Sequence, residues 1–157
     1  CEPVLEITND IKNISTKMLE TMYGASGIGL AAPQIGVLKR FFVMDCSKED
    51  DKRDCKVVIN PSIEYCSDEL KTCKEGCLSI PETFIEIERP KTCEVEYIDI
   101  NGDQKILKCD GLLSTCLQHE INHLDGKLII DYLSKLKRDL IIKKVSKSKK
   151  NLSRIIV

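Results

Sequence analysis

The segment that most constrains this chain lies between residues 111 and 124, where a helical pattern encloses two histidines four positions apart. Its apolar positions are Leu112, Leu113, Cys116, Leu117 and Leu124, with Asp110 as a candidate cap and Gly126 just beyond the end. Inside it, residues 118–123 read Gln-His-Glu-Ile-Asn-His. At about 100° per residue, His119 and His123 share a helix face and can bind one metal ion, while Glu120 lies beside the open coordination position. The chain has two histidines, both in this pattern, which predicts a catalytic metal site.

A site of this kind needs a third protein ligand, and the downstream sequence does not supply one. The extended metalloprotease pattern requires a His at position 129, which is Ile129, and no Glu follows Glu120. Cys116 lies on the same helix face, but it is about 7 Å along the axis from an ion held between the histidines. A thiolate bond of about 2.3 Å cannot cover that separation, so the ligand comes from an upstream segment.

Cys77 is the favoured upstream ligand, because its neighbour Gly76 permits close approach of the backbone. The preference is slight, since eight other cysteines compete and cysteine often serves as a small buried apolar residue. The residues alone leave this ligand open.

Length and pattern predict one α+β domain over residues 1–157. We expect a helix over 9–23, capped by Thr8 or Asn9, then an ordered glycine-rich loop to residue 36. Strands are expected over 40–45, 56–60, 84–88, 92–100 and 104–109, with a turn at Asn60-Pro61 and a hairpin at Asn101-Gly102; the charged run 47–54 separates the first two. A last helix begins after Ser134. The expected architecture is antiparallel sheets packed around the central helix that carries H-E-x-x-H, with a C-terminal helix.

The charge distribution and the cysteine content limit the partners and the cellular compartment that the chain can have. The net charge of −1 gives no argument for nucleic acid or an acidic partner. From residue 135 onward, however, nine Lys or Arg face one acid, so this tail carries +8 and residues 1–134 carry −9. Nine cysteines without a regular framework favour a reducing, intracellular compartment, and no apolar run of 18 residues predicts a membrane span.

Three segments are informative together: residues 27–34 (GIGLAAPQ), 75–79 (EGCLS) and 118–126 (QHEINHLDG). In their sequence, order and spacing they resemble the peptide deformylase family, and Ser79-Ile80-Pro81-Glu82 is similar to its bacterial type I branch. The resemblance implies Cys77 as the third metal ligand. Family members usually carry an N-terminal strand before the position of Cys1, so we expect that strand to be missing or truncated here.

The resemblance also implies a mechanism. The metal would be natively Fe(II), with zinc, nickel or cobalt as substitutes, and Glu120 would transfer protons during removal of the formyl group from N-formylmethionyl peptides. The Gln34 side-chain amide and the Leu78 backbone N–H would stabilise the developing oxyanion. We expect a cytoplasmic monomer, in the bacterial cytosol or in an organelle of bacterial descent. Its basic tail is either a solvated helix face or a contact for ribosomal RNA near emerging chains.

By the same analogy, a methionine pocket would be lined by Ile28, Cys73, Phe84, Leu112, Thr115 and Cys116, although several of these suit an ordinary core equally well. Gly29 would pair with the peptide backbone, and Glu75 with Arg89. Two rival hypotheses are an endopeptidase, disfavoured by Ile129, and a protein with a structural metal, which leaves no reason for Glu120 beside the ion.

Overall fold

The computed structural model describes residues 1–47 and 53–155, and it is α+β as expected. The helices are α1 (Asn9–Gly24), α2 (Gly111–Leu124) and α3 (Lys135–Ile155), with 3₁₀ helices at Ala32–Ile35 and Ile129–Tyr132. The strands are β1 (Gly29–Ala31), β2 (Phe41–Met44), β3 (Lys56–Cys66), β4 (Leu70–Cys77), β5 (Ile80–Pro90), β6 (Thr92–Ile98) and β7 (Gln104–Asp110).

An antiparallel five-stranded sheet, in the order β1-β2-β3-β6-β7, lies between α1 and α2. Strand β2 is buried along its whole length because both of its faces are covered. On one face, Phe41 and Val43 pack with Met18 and Met22 of α1. On the other, Phe42 and Met44 pack with α2. The helix that carries the histidines is therefore fixed against a rigid, buried surface.

Helix α1 follows its sequence closely. The Thr8 side chain caps it by accepting a hydrogen bond from the Ile11 N–H at 3.4 Å, and Ile11, Met18 and Met22 are buried at helical spacing. The predicted helix over 9–23 is confirmed, with one more residue, Gly24, at its end.

The predicted turn at Asn60-Pro61 is wrong, because β3 continues through it to Cys66. Asn60 has φ 51°, a left-handed conformation that Asn tolerates better than most residues, and the pairing with β6 shifts register between Ile59 and Ser62. Its side chain also holds the backbone of Val4 through two hydrogen bonds of 2.7 and 2.8 Å. The local signal of Asn-Pro marks a bulge in a continuous strand.

Strands β4 and β5 form a separate two-stranded sheet. Strand β5 contains the predicted segment 84–88 but extends from Ile80 to Pro90. Ile80, Ile85 and Ile87 pack on Ile129 and Ile130 of the second 3₁₀ helix. This hairpin places the end of β4 beside α2, where it can contribute to the same site as the histidines.

The hairpin predicted at Asn101-Gly102 is confirmed, since Ile98 pairs with Gln104 across it. Cys93 on β6 pairs with Cys109 on β7, and both pack with Cys116 of α2 in one apolar cluster. All nine cysteines are free thiols. Most of the charged run 47–54 lies outside the described residues, as do the last two positions of the basic tail. None of the described helices is both long enough and apolar enough to cross a membrane.

Candidate metal centre and active site

The two histidines of α2 converge at one point. His119 and His123 lie one turn apart, and their Nε2 atoms are separated by 3.1 Å. His123 is buried and His119 nearly so. Helical spacing therefore delivers two imidazole nitrogens to the same side of α2.

Cys77, the last residue of β4, completes the group. Its Sγ lies 3.3 Å from His123 Nε2, and the ligand atoms of Cys77, His119 and His123 all lie within 4.8 Å of one another. Tetrahedral bonds of about 2.0–2.3 Å place neighbouring ligand atoms about 3.3–3.6 Å apart. The spacing fits one divalent ion with three protein ligands, which leaves a further coordination position for substrate or water.

The electrostatics of the three side chains also suit a cation. Burial opposes ionisation of Cys77, but hydrogen bonds from His119 and His123 outweigh it and lower the pKa of the thiol to about 6. Burial likewise opposes charge on His119, yet Cys77 and Glu75 raise the pKa of this imidazole to about 10. The surroundings thus favour positive charge between these groups, which a divalent ion supplies in place of a proton.

A buried ion pair orients His119 from behind. Glu75 Oε2 lies 2.9 Å from His119 Nδ1, so the opposite nitrogen, Nε2, faces Cys77 and His123. Arg89 holds Glu75 through two hydrogen bonds of 2.5 and 2.9 Å, which confirms the predicted pairing of these residues. Two further residues, Asn122 and Tyr132, were missed by the sequence reasoning. Arg89 donates to Asn122 Oδ1 at 2.8 Å, and Tyr132 donates to the same oxygen at 2.7 Å.

Replacing Glu75 by Gln is expected to lower the affinity for zinc by about 10- to 100-fold, because the charged group that orients His119 is lost. The change also leaves the buried charge of Arg89 without its carboxylate, so the unfolding free energy should fall by about 3–5 kcal/mol. Chelator competition and urea unfolding measure the two effects. Glu69→Gln is the matched control, because it breaks the exposed pair with Lys91 and should cost about 1 kcal/mol or less. Equal losses in both variants would contradict the role of Glu75.

Glu120 is the buried acid of the site. It is 4% exposed, and its Oε2 has no hydrogen-bond partner among the described residues. Burial raises the pKa of Glu120 to about 7, where a carboxyl group can both accept and release a proton near neutral pH. Gly29 of β1 faces it so closely that an added Cβ would lie 2.8 Å from the Glu120 carboxyl carbon.

Gln34 approaches from the first 3₁₀ helix. Its Oε1 accepts a hydrogen bond from the Ala31 N–H at 2.8 Å, which satisfies a free donor at the start of that helix. Its Nε2 donates to Ser79 Oγ at 2.9 Å and lies 3.7 Å from Cys77 Sγ. The side-chain amide therefore points its donor side at Ser79 and Cys77.

A cavity of about 650 Å³ opens beside these groups. It is bordered by His119, Glu120, Cys77 and Gln34, by Gly29 and Leu78, and by five of the six residues expected around methionine, namely Ile28, Phe84, Leu112, Thr115 and Cys116. Cys73 is not among the lining residues; it lies behind Thr115, whose hydroxyl donates to its Sγ at 3.4 Å.

Comparisons with known proteins agree with this arrangement. The polypeptide deformylase family model matches residues 1–139. A peptide deformylase of Pelagibacter ubique is 54% identical over 156 residues, which cover 99% of this chain and 90% of that protein. The crystal structure of peptide deformylase from Ehrlichia chaffeensis in complex with actinonin superposes with a TM-score of 0.89 at 44% identity, covering 94% of this chain and 88% of that one. The crystal structure of a peptide deformylase from Legionella pneumophila superposes with a TM-score of 0.90 at 38% identity, covering 98% of this chain and 89% of that one.

An α+β fold that joins a thiolate, two imidazoles and a buried carboxyl group at one cavity defines a metal-dependent hydrolase. The chain belongs to the peptide deformylase family.

Proposed function

We propose that Cys77, His119 and His123 hold the divalent ion of a deformylase active site in which Glu120, Gln34 and the Leu78 backbone N–H carry out the reaction. The reaction of the family removes the N-formyl group from the N-terminal formylmethionine of nascent polypeptides and releases formate. The single observation that carries the assignment of residues is the convergence of three potential ligand atoms beside Glu120. The buried Oε2 of this residue has no hydrogen-bond partner within residues 1–47 and 53–155.

An ion held by Cys77, His119 and His123 would supply Lewis acidity, which would polarise a carbonyl group and make hydroxide available near neutral pH. One thiolate and two imidazoles suit iron, zinc, nickel or cobalt, and the family resemblance favours Fe(II) as the native ion.

Glu120 moves the protons. Its carboxylate accepts a proton from the attacking water and then delivers one to the amine nitrogen as the bond to the formyl carbon breaks. Its burial supports this role, because a carboxyl group with a pKa of about 7 releases and accepts protons with similar ease at neutral pH. Formate and a free amino terminus result.

Gln34 and Leu78 stabilise the negative charge that develops on the formyl oxygen. The Gln34 amide group already points its nitrogen toward Cys77, and Leu78 follows Cys77 in the turn between β4 and β5. The apolar part of the cavity, around Ile28, Phe84 and Leu112, accepts the methionine side chain.

Formate release from formylmethionyl peptides by anaerobically purified protein, with metal analysis of the same sample, tests the proposal. We expect turnover in proportion to bound metal and no cleavage of casein. Casein cleavage without formate release would overturn the assignment in favour of an endopeptidase.

Gln34→Ala is expected to lower kcat by about 10²–10³-fold, because one donor to the developing oxyanion is lost. Steady-state formate release measures the effect, and the metal content should stay unchanged because Gln34 is not a ligand. Near-normal turnover of the metal-loaded variant would remove Gln34 from the mechanism.

We further propose that the protein acts as a monomer in the cytoplasm, where formylated nascent chains leave the ribosome. Contact of the basic C-terminal helix with the ribosome stays a prediction, which salt-dependent ribosome binding of a chain shortened after Lys147 would test.

A further inference from the structure

We propose that Ser79 is a positioning residue that fixes the orientation of the Gln34 side-chain amide. The inference rests on the proposed role of Gln34 as a donor to the substrate oxygen. The Ser79 side chain is not assigned a contact with the reacting atoms or with the metal, and it acts through Gln34.

The orientation of the Gln34 amide follows from its neighbours. The Ala31 backbone N–H lies 2.8 Å from one end of the amide, and an N–H can only donate. That end must therefore be the oxygen, Oε1, and the nitrogen must face Ser79 and Cys77. A rotation of the amide by 180° would place two donors against each other at Ala31.

Ser79 occupies one of the two donors of the Gln34 nitrogen. The Nε2 atom lies 2.9 Å from Ser79 Oγ, a normal hydrogen bond, and 3.7 Å from Cys77 Sγ, a long one. The second N–H is thus only weakly engaged and remains able to donate to a substrate oxygen beside Cys77. With Ala31 at one end and Ser79 at the other, the amide plane is held before the substrate binds, which is the condition for effective stabilisation of charge.

The position of Ser79 in the chain explains why it can serve this purpose. It lies in the tight turn between β4 and β5, two residues beyond Cys77, so the turn that places the ligand also places the hydroxyl group. The Ser79 backbone N–H is separately near the Cys77 thiol and helps to lower its pKa. A change of the Ser79 side chain therefore leaves this backbone contact with the ligand in place.

Ser79→Ala is the direct test. We expect kcat for formate release to fall about three- to tenfold, as for loss of one orienting hydrogen bond, with KM within about twofold of the parent value. Metal bound per chain and the thermal midpoint should stay unchanged, because the Ser79 side chain is exposed and is not a ligand. Normal kcat in this variant would overturn the inference.

Two controls separate positioning from general damage. Ser79→Thr keeps a hydroxyl group in the same place and should retain kcat within about twofold of the parent. Ser67→Ala removes a hydroxyl group that also makes two hydrogen bonds, to the Glu69 carbonyl and from the Thr92 N–H, but in the turn between β3 and β4. It should leave kcat unchanged. A loss in Ser67→Ala equal to that in Ser79→Ala would overturn the inference.

A double-mutant cycle with Gln34→Ala decides whether Ser79 acts through Gln34. In the Gln34→Ala background, Ser79→Ala should have no further effect, because the group that it positions is gone. Losses that multiply would show that Ser79 acts independently, and the inference would fail while the role of Gln34 stands. Near-normal turnover of Gln34→Ala alone would instead reject the role of Gln34, and the inference with it.

Discussion

Replacing Glu120 by Gln is expected to slow formate release by about 10²–10⁴-fold while the metal stays bound. The amide has nearly the shape of the carboxyl group, so the cavity and the three ligands should be undisturbed, but it cannot accept a proton from water. This expectation depends on the buried Oε2 of Glu120, which has no hydrogen-bond partner in the part of the chain that the structure describes.

Single-turnover and steady-state formate release, with metal analysis of the same preparation, measure the effect. Glu86→Gln is a matched control, because Glu86 is an exposed acid on β5 and should be replaceable without loss. A metal-loaded Glu120→Gln enzyme with full turnover would favour a structural role for the metal and remove Glu120 from the mechanism.

Replacing Gly29 by Ala is expected to reduce turnover about as much as the loss of Glu120 itself. The added methyl group would lie 2.8 Å from the Glu120 carboxyl carbon and closer still to Oε1. Because Glu120 is buried in a packed interior, either its carboxyl group or β1 has to move. We also expect a loss of about 1–3 kcal/mol in unfolding free energy, the usual cost of overpacking.

Gly24→Ala provides the comparison for Gly29. Gly24 ends α1, and an added Cβ there meets no atom within 4 Å, so the same chemical change should be neutral or slightly stabilising. Formate release and urea unfolding of both variants test the steric argument. Normal turnover in Gly29→Ala would mean that β1 can shift without disturbing Glu120.

The sequence predicted well those elements whose buried side chains are apolar. Helix α2 was expected over residues 111–124 and has those bounds, because Cys116, Leu117 and Leu124 repeat at helical spacing against the sheet. The expected cap, Asp110, occupies the right position, although its side chain makes no capping hydrogen bond.

The sequence pattern did not predict strand β4, and the reason is physical. Its inward face carries Cys73, Glu75 and Cys77, so the side that turns toward α2 is the site itself rather than an apolar surface. Hydrophobic alternation therefore gave no strand signal, although the residues do alternate in burial. Strand β1 lies inside the segment 24–36, for which the sequence predicts a loop, because three residues are too few to show a period.

The residues of the site also differ in how far a local sequence pattern predicts them. Helix geometry sufficed for His119 and His123, whereas Cys77 depended on the resemblance, because a contact between β4 and α2 leaves no periodic signal in either segment. The contacts of Arg89 with Asn122 and Tyr132 join three elements that are distant in sequence, and no local pattern of residues indicates them.

Buried thiols in the core make it possible to measure how often the sheet and α2 separate. Cys93 and Cys109 are buried between the sheet and α2, whereas Cys1 and Cys55 are exposed. An alkylating reagent can reach the first two only when the layer between sheet and helix separates, so their modification rate measures the free energy of that opening. The two exposed thiols give the alkylation rate of an unprotected cysteine in the same sample.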